Sequence, residues 1–431
     1  MERFFLQVYG CQMNVAEGES IRKILSSRGY SETTDMKNAD AIILHTCCVR
    51  ETAEEKIYGK IGEIKGLKRE NPELIVGVTG CMAQKEGENL FKRAKHIDFA
   101  LGPGEIGKIG RVIDDVEDHR KKFLGQDLKD YDAVPVATGK ASVFVPIMTG
   151  CNNFCSYCIV PYTRGRERSR EFDDVLADIQ SAVQGGAKEV TLLGQNVNSY
   201  GKDLKSKDFS DLLSAADKVE GLCRLRFMTS HPKDLSDKLI DTMAASEHIA
   251  PHLHLPMQHA SNRILKAMNR NYTKERYLSL IEKIRGKMPN ISVTTDLIVG
   301  FPGETEEDFE ELLKFLDIVK WDAAYTFIYS KRSGTPAAEM DEQVSEEVKR
   351  KRLSKLMDKE NEISLASNRK FLGKVVSVLV EGESKEEKVY QGRTGENKLT
   401  LFERTDENPG DIVNVKITEA KTWHLKGERI R

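Results

Sequence analysis

Short apolar runs of strand length alternate with helix-length stretches along most of this chain, and that alternation limits the fold more than any other feature. Residues 4–9, 41–46 and 74–79 read as strands, and residues 17–28 as a helix ending near Gly29. Strands separated by helices pair in parallel, with helices covering the faces of the sheet. The alternation resumes near Ser142. Strands are expected over residues 189–193, 224–228, 252–256, 292–299 and 324–329, with helices such as 172–184 and 274–288 between them. Repeated strand–helix units suggest a full or partial barrel. From about residue 365 the texture changes to short β segments, 374–381, 388–391, 398–402 and 411–416, separated by turn residues. That pattern predicts a small all-β barrel. The expected class is α/β. A parallel-sheet domain spans 1–113, a polar linker 114–141, a partial (β/α) barrel 142–364 and a small all-β barrel 365–431.

Composition excludes some alternatives. Of 431 residues, 39% are hydrophobic and 31% charged, a soluble globular profile. No apolar run reaches the roughly 18 residues of a membrane helix, and the N-terminus alternates like a strand without a signal-peptide shape. The expected location is cytoplasmic, with no membrane partner and a monomeric chain. A net charge of −2 rules out a uniformly basic nucleic-acid binder, but RNA binding needs only a local positive face.

The chain has eight cysteines, Cys11, Cys47, Cys48, Cys81, Cys151, Cys155, Cys158 and Cys223. In a chain of this size such clustering points to metal or catalysis more than to disulfides. Cys11, Cys47 and Cys81 each follow one of the first three strands. Adjacent parallel strands open their C-terminal ends onto one edge, where ligands bind, so the three cysteines are expected to converge there. From placement alone, three buried thiols packing as small hydrophobes remain the alternative. Cys48 lies beside Cys47 and is either a substitute ligand or a spectator thiol. Cys223, just before a strand, reads as a core thiol.

The other trio is compact: Cys151-Asn-Asn-Phe-Cys155-Ser-Tyr-Cys158, spaced C-x3-C-x2-C. Thiolates are the usual protein ligands of iron–sulfur clusters. Three cysteines on a four-iron cluster leave one iron open, and S-adenosylmethionine can chelate that iron through its amine and carboxylate. An electron then splits the sulfonium bond to give a 5′-deoxyadenosyl radical. A structural zinc site takes four ligands, often as two C-x2-C pairs, and no second pair lies nearby. Tyr157 precedes the last cysteine and is a candidate cofactor contact.

On these residues the sequence resembles the methylthiotransferase branch of the radical-SAM superfamily, over nearly its whole length. Tyr-Gly-Cys11-Gln-Met-Asn, His-Thr-Cys47-Cys-Val-Arg and Thr-Gly-Cys81-Met-Ala-Gln match the family's N-terminal cluster domain, and the last β-rich segment resembles its RNA-binding TRAM domain. The resemblance implies a radical-SAM barrel in the centre and a second four-iron cluster on Cys11, Cys47 and Cys81. It also implies a tRNA substrate, a reducing electron donor and a sulfur donor. The family usually has Asn at His45 and Ser at Cys48. Segments 160–170, 192–201, 226–232, 268–273 and 390–394 are most similar to the subfamily that modifies isopentenylated adenosine. His259 and Ala260 replace its usual Ser-Gly. The implied reaction attaches a methylthio group to C2 of isopentenylated adenosine at tRNA position 37. A radical suits a carbon with no acidic proton and no leaving group. The alternatives are the threonylcarbamoyladenosine and ribosomal-protein branches of the family, or a non-enzymatic RNA-binding iron–sulfur sensor.

Other candidates follow from placement. Arg164, Arg166, Arg168 and Arg170 alternate, and on an extended segment they would share a face suited to phosphates. The alternative is a solvated stretch paired with Glu167 and Glu171. Gln195 and Asn196 follow a strand and are expected at the barrel mouth as S-adenosylmethionine contacts. His252 and His254 share one strand face. Gly300 follows the 292–299 strand and is expected to permit close approach of the cofactor. Gly102-Pro-Gly-Glu-Ile-Gly107 matches G-x-G-x-x-G, but its proline and the lack of an acidic partner argue against a dinucleotide site. On the last barrel, Lys370, Lys374, Lys388, Arg393, Lys398 and Lys426 with Tyr390 and Trp423 suit RNA phosphates and bases.

Overall fold

The computed structural model describes residues 2–47, 51–117, 122–124, 136, 139–385 and 389–430. Cys48, Lys388 and most of the expected linker lie outside the described residues. The chain forms two compact units. One comprises Met1–Ala137, Phe144–Asn152 and Cys158–Arg170; the other comprises Thr138–Val143, Asn153–Tyr157 and Glu171–Arg431.

The first unit is built on β1 (Arg3–Val8), α1 (Gln12–Ser27), β2 (Ser31–Glu32), β3 (Ala41–Thr46), α2 (Glu51–Glu70), β4 (Ile75–Gly80), α3 (Cys81–Glu86), α4 (Asn89–Arg93), β5 (Phe99–Leu101), α5 (Ile109–Glu117) and β6 (Lys122–Leu124). The strands form one parallel sheet in the order β2-β1-β3-β4-β5-β6. Successive side chains of a strand face opposite sides, and the core divides accordingly. Ala41 and Ile43 pack with Phe4, Leu6, Ile21, Leu25, Val112 and Ile113 under α1 and α5. Ile42 and Leu44 pack with Val76, Val78, Ile57, Ile61, Ile64 and Leu90 under α2 and α4. A parallel sheet buried on both faces needs continuous apolar strands, which is why 41–46 was legible from the sequence.

Helix α1 starts at Gln12 rather than at 17. Its first turn is polar because the Asn14 amide donates to the Thr46 carbonyl at 2.9 Å. A buried polar anchor therefore takes the place of apolar periodicity in that turn. The unit also contains most of β7 (Ser142–Pro146), then β8 (Met148–Thr149), α6 (Val160–Thr163) and β9 (Arg168–Ser169), with β8 and β9 antiparallel.

The second unit continues with α7 (Phe172–Gln184), β10 (Glu189–Leu193), α8 (Phe209–Ala216), β11 (Arg224–Phe227), α9 (Asp237–Ala245), β12 (His252–His254), α10 (Asn262–Ala267), α11 (Lys274–Lys287), β13 (Ser292–Val299), α12 (Glu306–Val319), β14 (Ala323–Ile328) and α13 (Glu346–Arg369). Strands β10 and β11 are parallel neighbours, as are β12, β13 and β14. The amides of Lys188 and Glu189 donate to the Ala141 carbonyl, so the chain enters β7 beside β10. A single parallel bridge, Leu225 to Ile249, links the two strand groups. The result is the partial (β/α) barrel the alternation predicted. Strand interiors such as Val190, Leu192, Leu225, Leu253, Val293 and Leu297 are buried. Thr305 starts α12 with a reciprocal capping box to Asp308, which satisfies two orphan helix amides.

The C-terminal barrel is closed, in the order β15-β16-β17-β19-β18. Its strands are β15 (Val375–Glu383), β16 (Val389–Thr394), β17 (Leu399–Glu403), β18 (Ile412–Ala420) and β19 (Leu425–Ile430). Sequence reading gave only four of them. Strand β19 reads Leu-Lys-Gly-Glu-Arg-Ile, and only Leu425 is buried there, so it lacks an apolar alternation. It closes the barrel through backbone pairing with β17 and β18, which removes the exposed edge. Among the described residues no helix is long and apolar enough to cross a membrane.

Candidate functional site

Strands β1, β3 and β4 are adjacent and parallel, with Val8 level with His45 and His45 level with Thr79. The chain therefore leaves all three at the same edge, and Cys11, Cys47 and Cys81 are the residues that leave. Gly10 sits at φ +116°, and a Cβ there would lie 2.4 Å from Cys47 Cβ, so only glycine lets the ends of β1 and β3 approach this closely. Cys47 and Cys81 are buried and Cys11 is exposed. Cys11 Sγ lies 3.4 Å from the Asn14 Oδ1 that accepts from it. Hydrogen bonding with Cys47, against the opposing effect of burial and with help from the Arg164 charge, lowers the Cys11 thiol to about 6. Thiolates are the form that ligates metal. Among the described residues no three Cys, His, Asp or Glu side chains are already gathered as a metal site; the cysteines share an edge rather than a preassembled cage.

Arg164 differs from the other arginines of its run. It is buried, 4% exposed. Its Nη1 and Nη2 donate to Glu17 Oε1 and Oε2 at 2.6 and 3.0 Å. Glu17 Oε2 also meets His45 Nε2 at 3.1 Å, and His45 Nδ1 meets Thr79 Oγ1 at 2.8 Å. Thr79 in turn holds β3, because Thr46 Oγ1 donates to its carbonyl at 2.7 Å. Burial alone would raise the Glu17 carboxyl, but the guanidinium and His45 outweigh it and hold it near 2. A guanidinium forked onto a buried carboxylate does not face solvent phosphates, so the expected RNA role of Arg164 is replaced by an internal one. Arg170 Nη1 donates to the Pro146 carbonyl at 2.8 Å. The run does not present one uniform face.

The C-x3-C-x2-C loop is where the chain passes from the first unit to the second and back. In the first unit, Cys151 N donates to the Gly165 carbonyl at 3.1 Å, and Ile159, next to Cys158, packs against Cys81. In the second unit, Ser156 N donates to the Met268 carbonyl at 3.0 Å, and the Asn269 amide donates to the carbonyls of Asn153 and Phe154 at 3.2 and 2.9 Å. Arg270 is buried there. Its Nη1 donates to Cys155 Sγ at 3.6 Å, Nη2 to the Pro256 carbonyl at 2.8 Å and Nε to Tyr272 Oη at 2.9 Å. Tyr157 packs beside Ile264, Met268, Phe301 and Tyr329.

Beyond the ends of β10 and β11 lies a group of buried polar atoms that lack a protein partner: Gln195 Oε1, Asn196 Oδ1, both amide atoms of Asn198, Ser230 Oγ and His231 Nε2. Such atoms are costly unless something pairs with them. Asn196 is oriented by its Nδ2, which donates to Asp234 Oδ2 at 2.8 Å. Burial, and then the charges of Arg270, Lys233 and Lys202, lowers His231 to about 2, so it is neutral. Thr229 holds φ +72° in the same loop, a conformation rare outside glycine and concentrated at sites. Sequence reading found Gln195 and Asn196 but missed Asn198, Ser230, His231 and Arg270. The signal for His231 was its place in the loop that follows β11, within the segment 226–232 quoted for the resemblance.

The other candidates are accounted for differently. Gly300 sits at φ +73°, and a Cβ there would lie 2.3 Å from Lys349 Cγ, which explains the glycine without a ligand. His252 and His254 both meet Thr294 Oγ1, at 3.1 and 3.0 Å. Cys223 is exposed, not a core thiol; its position one residue before β11 keeps it off the barrel interior. On the last barrel Lys374 and Trp423 are exposed. Arg393 is half-buried against Glu381 at 3.1 Å. Lys398 is buried, donating to the Asp322 carbonyl at 2.9 Å, so it offers nothing to RNA. The Gly102–Gly107 stretch is a 3₁₀ turn after β5.

Residues 145–316 match the Radical SAM superfamily, residues 3–102 match Uncharacterized protein family UPF0004, and residues 369–430 match the TRAM domain. The chain is 50% identical over 432 residues to the tRNA-2-methylthio-N(6)-dimethylallyladenosine synthase of Carboxydothermus hydrogenoformans, covering 98% of each chain. It is 48% identical to the enzyme of the same name from Alkaliphilus oremlandii, over 100% of this chain and 93% of that one. Among solved structures it resembles the radical S-adenosylmethionine methyltransferase TsrM from Kitasatospora setae. The TM-score is 0.59 at 15% identity, over 78% of this chain and 75% of that one, a likeness of fold alone.

Proposed function

Because the chain belongs to the tRNA-2-methylthio-N(6)-dimethylallyladenosine synthase family of MiaB-type methylthiotransferases, we propose that Cys11, Cys47 and Cys81 hold one four-iron cluster and Cys151, Cys155 and Cys158 a second. The enzyme is a radical-SAM methylthiotransferase that acts on isopentenylated adenosine in tRNA. S-adenosylmethionine and iron–sulfur chemistry are its cofactor requirements. The two-site reading is supported above all by one observation: Ile159, adjoining Cys158, packs on Cys81. That contact brings part of one trio beside part of the other.

The residues present fit these groups. Three thiols leave adjacent strands at one edge, and a second trio has the C-x3-C-x2-C spacing. The unpartnered polar atoms of Gln195, Asn196, Asn198, Ser230 and His231 suit the amine, carboxylate and hydroxyl groups of S-adenosylmethionine. When bound, a four-iron cluster with an open iron supplies one-electron cleavage of the sulfonium bond of S-adenosylmethionine. The chain's own residues then do the positioning. Asn196, fixed by Asp234, and neutral His231 orient the cofactor. Arg270 holds Cys155 and, through Pro256 and Tyr272, ties the cysteine loop to the barrel. Trp423 and Lys374 of the last barrel are assigned to tRNA bases and phosphates, and Arg166, the exposed arginine of its run, to the RNA backbone.

The modified nucleoside is assigned to position 37. The enzyme is placed in the cytoplasm as a monomer that receives electrons from a reductant and sulfur from a donor. Mass spectrometry of tRNA nucleosides from a deletion strain tests the substrate. The expected result is loss of 2-methylthio-isopentenyladenosine with accumulation of isopentenyladenosine. An unchanged level of the methylthiolated nucleoside would contradict it.

A further inference from the structure

Buried ion pairs are expensive. Desolvating two charges costs several kcal/mol per ion, and well-packed apolar residues often serve stability as well or better. The Glu17–Arg164 pair is nonetheless fully enclosed, at 0% and 4% side-chain exposure, in the one region of the sheet edge where three cysteines emerge. Its components come from distant parts of the chain. Glu17 is on α1, His45 on β3, Thr79 on β4, and Arg164 caps the end of α6. The cysteines emerge from the same elements: Cys11 caps α1, Cys47 follows β3, and Cys81 begins α3 directly after β4. Helix α6 reaches them because Ile159 packs on Cys81. Every member of the network is thus one or two turns, or a few strand residues, from a cysteine.

The contacts form one continuous chain. Thr79 fixes His45, His45 and the Arg164 fork share the Glu17 carboxylate, and the fork fixes the plane of the guanidinium. The guanidinium lies near enough for its charge to act on Cys81 and Cys11. We propose that Arg164, held by Glu17 and His45, is a positioning residue that supplies a fixed positive charge to the Cys11/Cys47/Cys81 site and thereby sets the potential of the group bound there. This rests on the assignment of a cluster to those three cysteines. Partners of this kind, one step behind the ligands, tune metal sites through charge and hydrogen bonding. The network also gives His45 a purpose. A histidine in place of the family's usual asparagine can bridge Glu17 and Thr79 from opposite ring nitrogens.

The test isolates the N-terminal site in the full-length chain with Cys151, Cys155 and Cys158 changed to alanine. Midpoint potentials are read by EPR-monitored redox titration, with iron counted per chain. Removing a nearby positive charge makes reduction harder, and removing a nearby negative charge makes it easier. Arg164→Gln is therefore expected to move the midpoint to more negative potential, and Glu17→Gln to move it to more positive potential, with about four irons retained in each. A merely structural fork predicts shifts of the same sign or none. Two midpoints that coincide with the parent's, or move together, overturn the proposal. If Arg164→Gln holds no iron, Arg164→Lys decides. Iron retention with the parent midpoint supports the charge, and iron loss in the lysine variant too overturns it. A parent that binds no iron at all contradicts the cluster assignment itself, and the proposal falls with it.

Discussion

Ile159 packs against Cys81, so the residue that follows the last cysteine of the C-x3-C-x2-C loop touches the third cysteine of the other trio. Radical generation and sulfur insertion must be neighbours if a short-lived radical is to act on a carbon that then receives a methylthio group. The contact lies within one compact unit, which contains Cys11, Cys47, Cys81, Cys151 and Cys158. Part of the C-x3-C-x2-C motif is thus built into the same body as the sheet edge.

The first prediction concerns S-adenosylmethionine. Asn196→Ala removes a buried amide oxygen with no protein partner while leaving Asp234 its contact with Lys202. Loss of one such hydrogen bond is worth about 1.4 kcal/mol, or tenfold in affinity. Equilibrium binding of S-adenosylmethionine should weaken by about that factor. An unchanged affinity removes Asn196 from the cofactor site.

The second concerns Gly300. Its φ of +73° and the 2.3 Å approach of a Cβ to Lys349 Cγ make alanine costly twice over, by about 1–3 kcal/mol for the backbone alone. Gly300→Ala should lower the thermal midpoint. Adding Lys349→Ala should recover the steric part and leave the backbone part. A wild-type midpoint in the single variant would show that the turn relaxes freely.

The strand–helix alternation gave β1, β3 and β4 of the six-stranded sheet, the partial barrel and most strand ends within a residue or two, because a parallel sheet covered on both faces demands apolar runs. The edge position of Cys11, Cys47 and Cys81 followed from the same rule. What escaped was the short strands β2, β5 and β6 and whatever depends on long-range polar pairing. Asn14 hid the start of α1, because its partner is the Thr46 carbonyl. Arg164 looked like one of four equivalent arginines, and only the fold shows that it meets Glu17, at a separation of 147 residues. Arg270 reaches Cys155 across 115 residues. Strand β19 is held by backbone pairing rather than by an apolar pattern.

A third prediction concerns pH. The Glu360 carboxyl is 1% exposed. Burial raises it from 4.5 to about 7, against the pull of hydrogen bonds from Ser364 and Ala324. The folded protein therefore keeps this proton where the unfolded chain releases it. The stability this group contributes is complete below about pH 4.5 and is lost as pH rises to about 7, by up to about 3 kcal/mol at 1.36 kcal/mol per unit. Glu360→Gln should flatten that fall. Thermal midpoints at pH 5 and pH 8 should differ less in the variant than in wild type, and an equal difference would exclude Glu360 as the cause.

The fourth concerns RNA. Trp423 is 61% exposed on the last barrel, and stacking on one base is worth about 1–3 kcal/mol. Trp423→Ala should weaken tRNA binding by about five- to 150-fold. Lys374→Ala should reduce the slope of log affinity against log salt by about 0.7–0.9. If neither variant alters binding, this face of the barrel does not meet RNA.

The iron content of the anaerobically reconstituted chain tests the two-site reading most directly. About eight irons are expected in wild type. About four are expected when Cys11, Cys47 and Cys81 are changed to alanine, and about four when Cys151, Cys155 and Cys158 are changed instead. About four in wild type, with no loss on changing the first trio, would contradict the two-site reading.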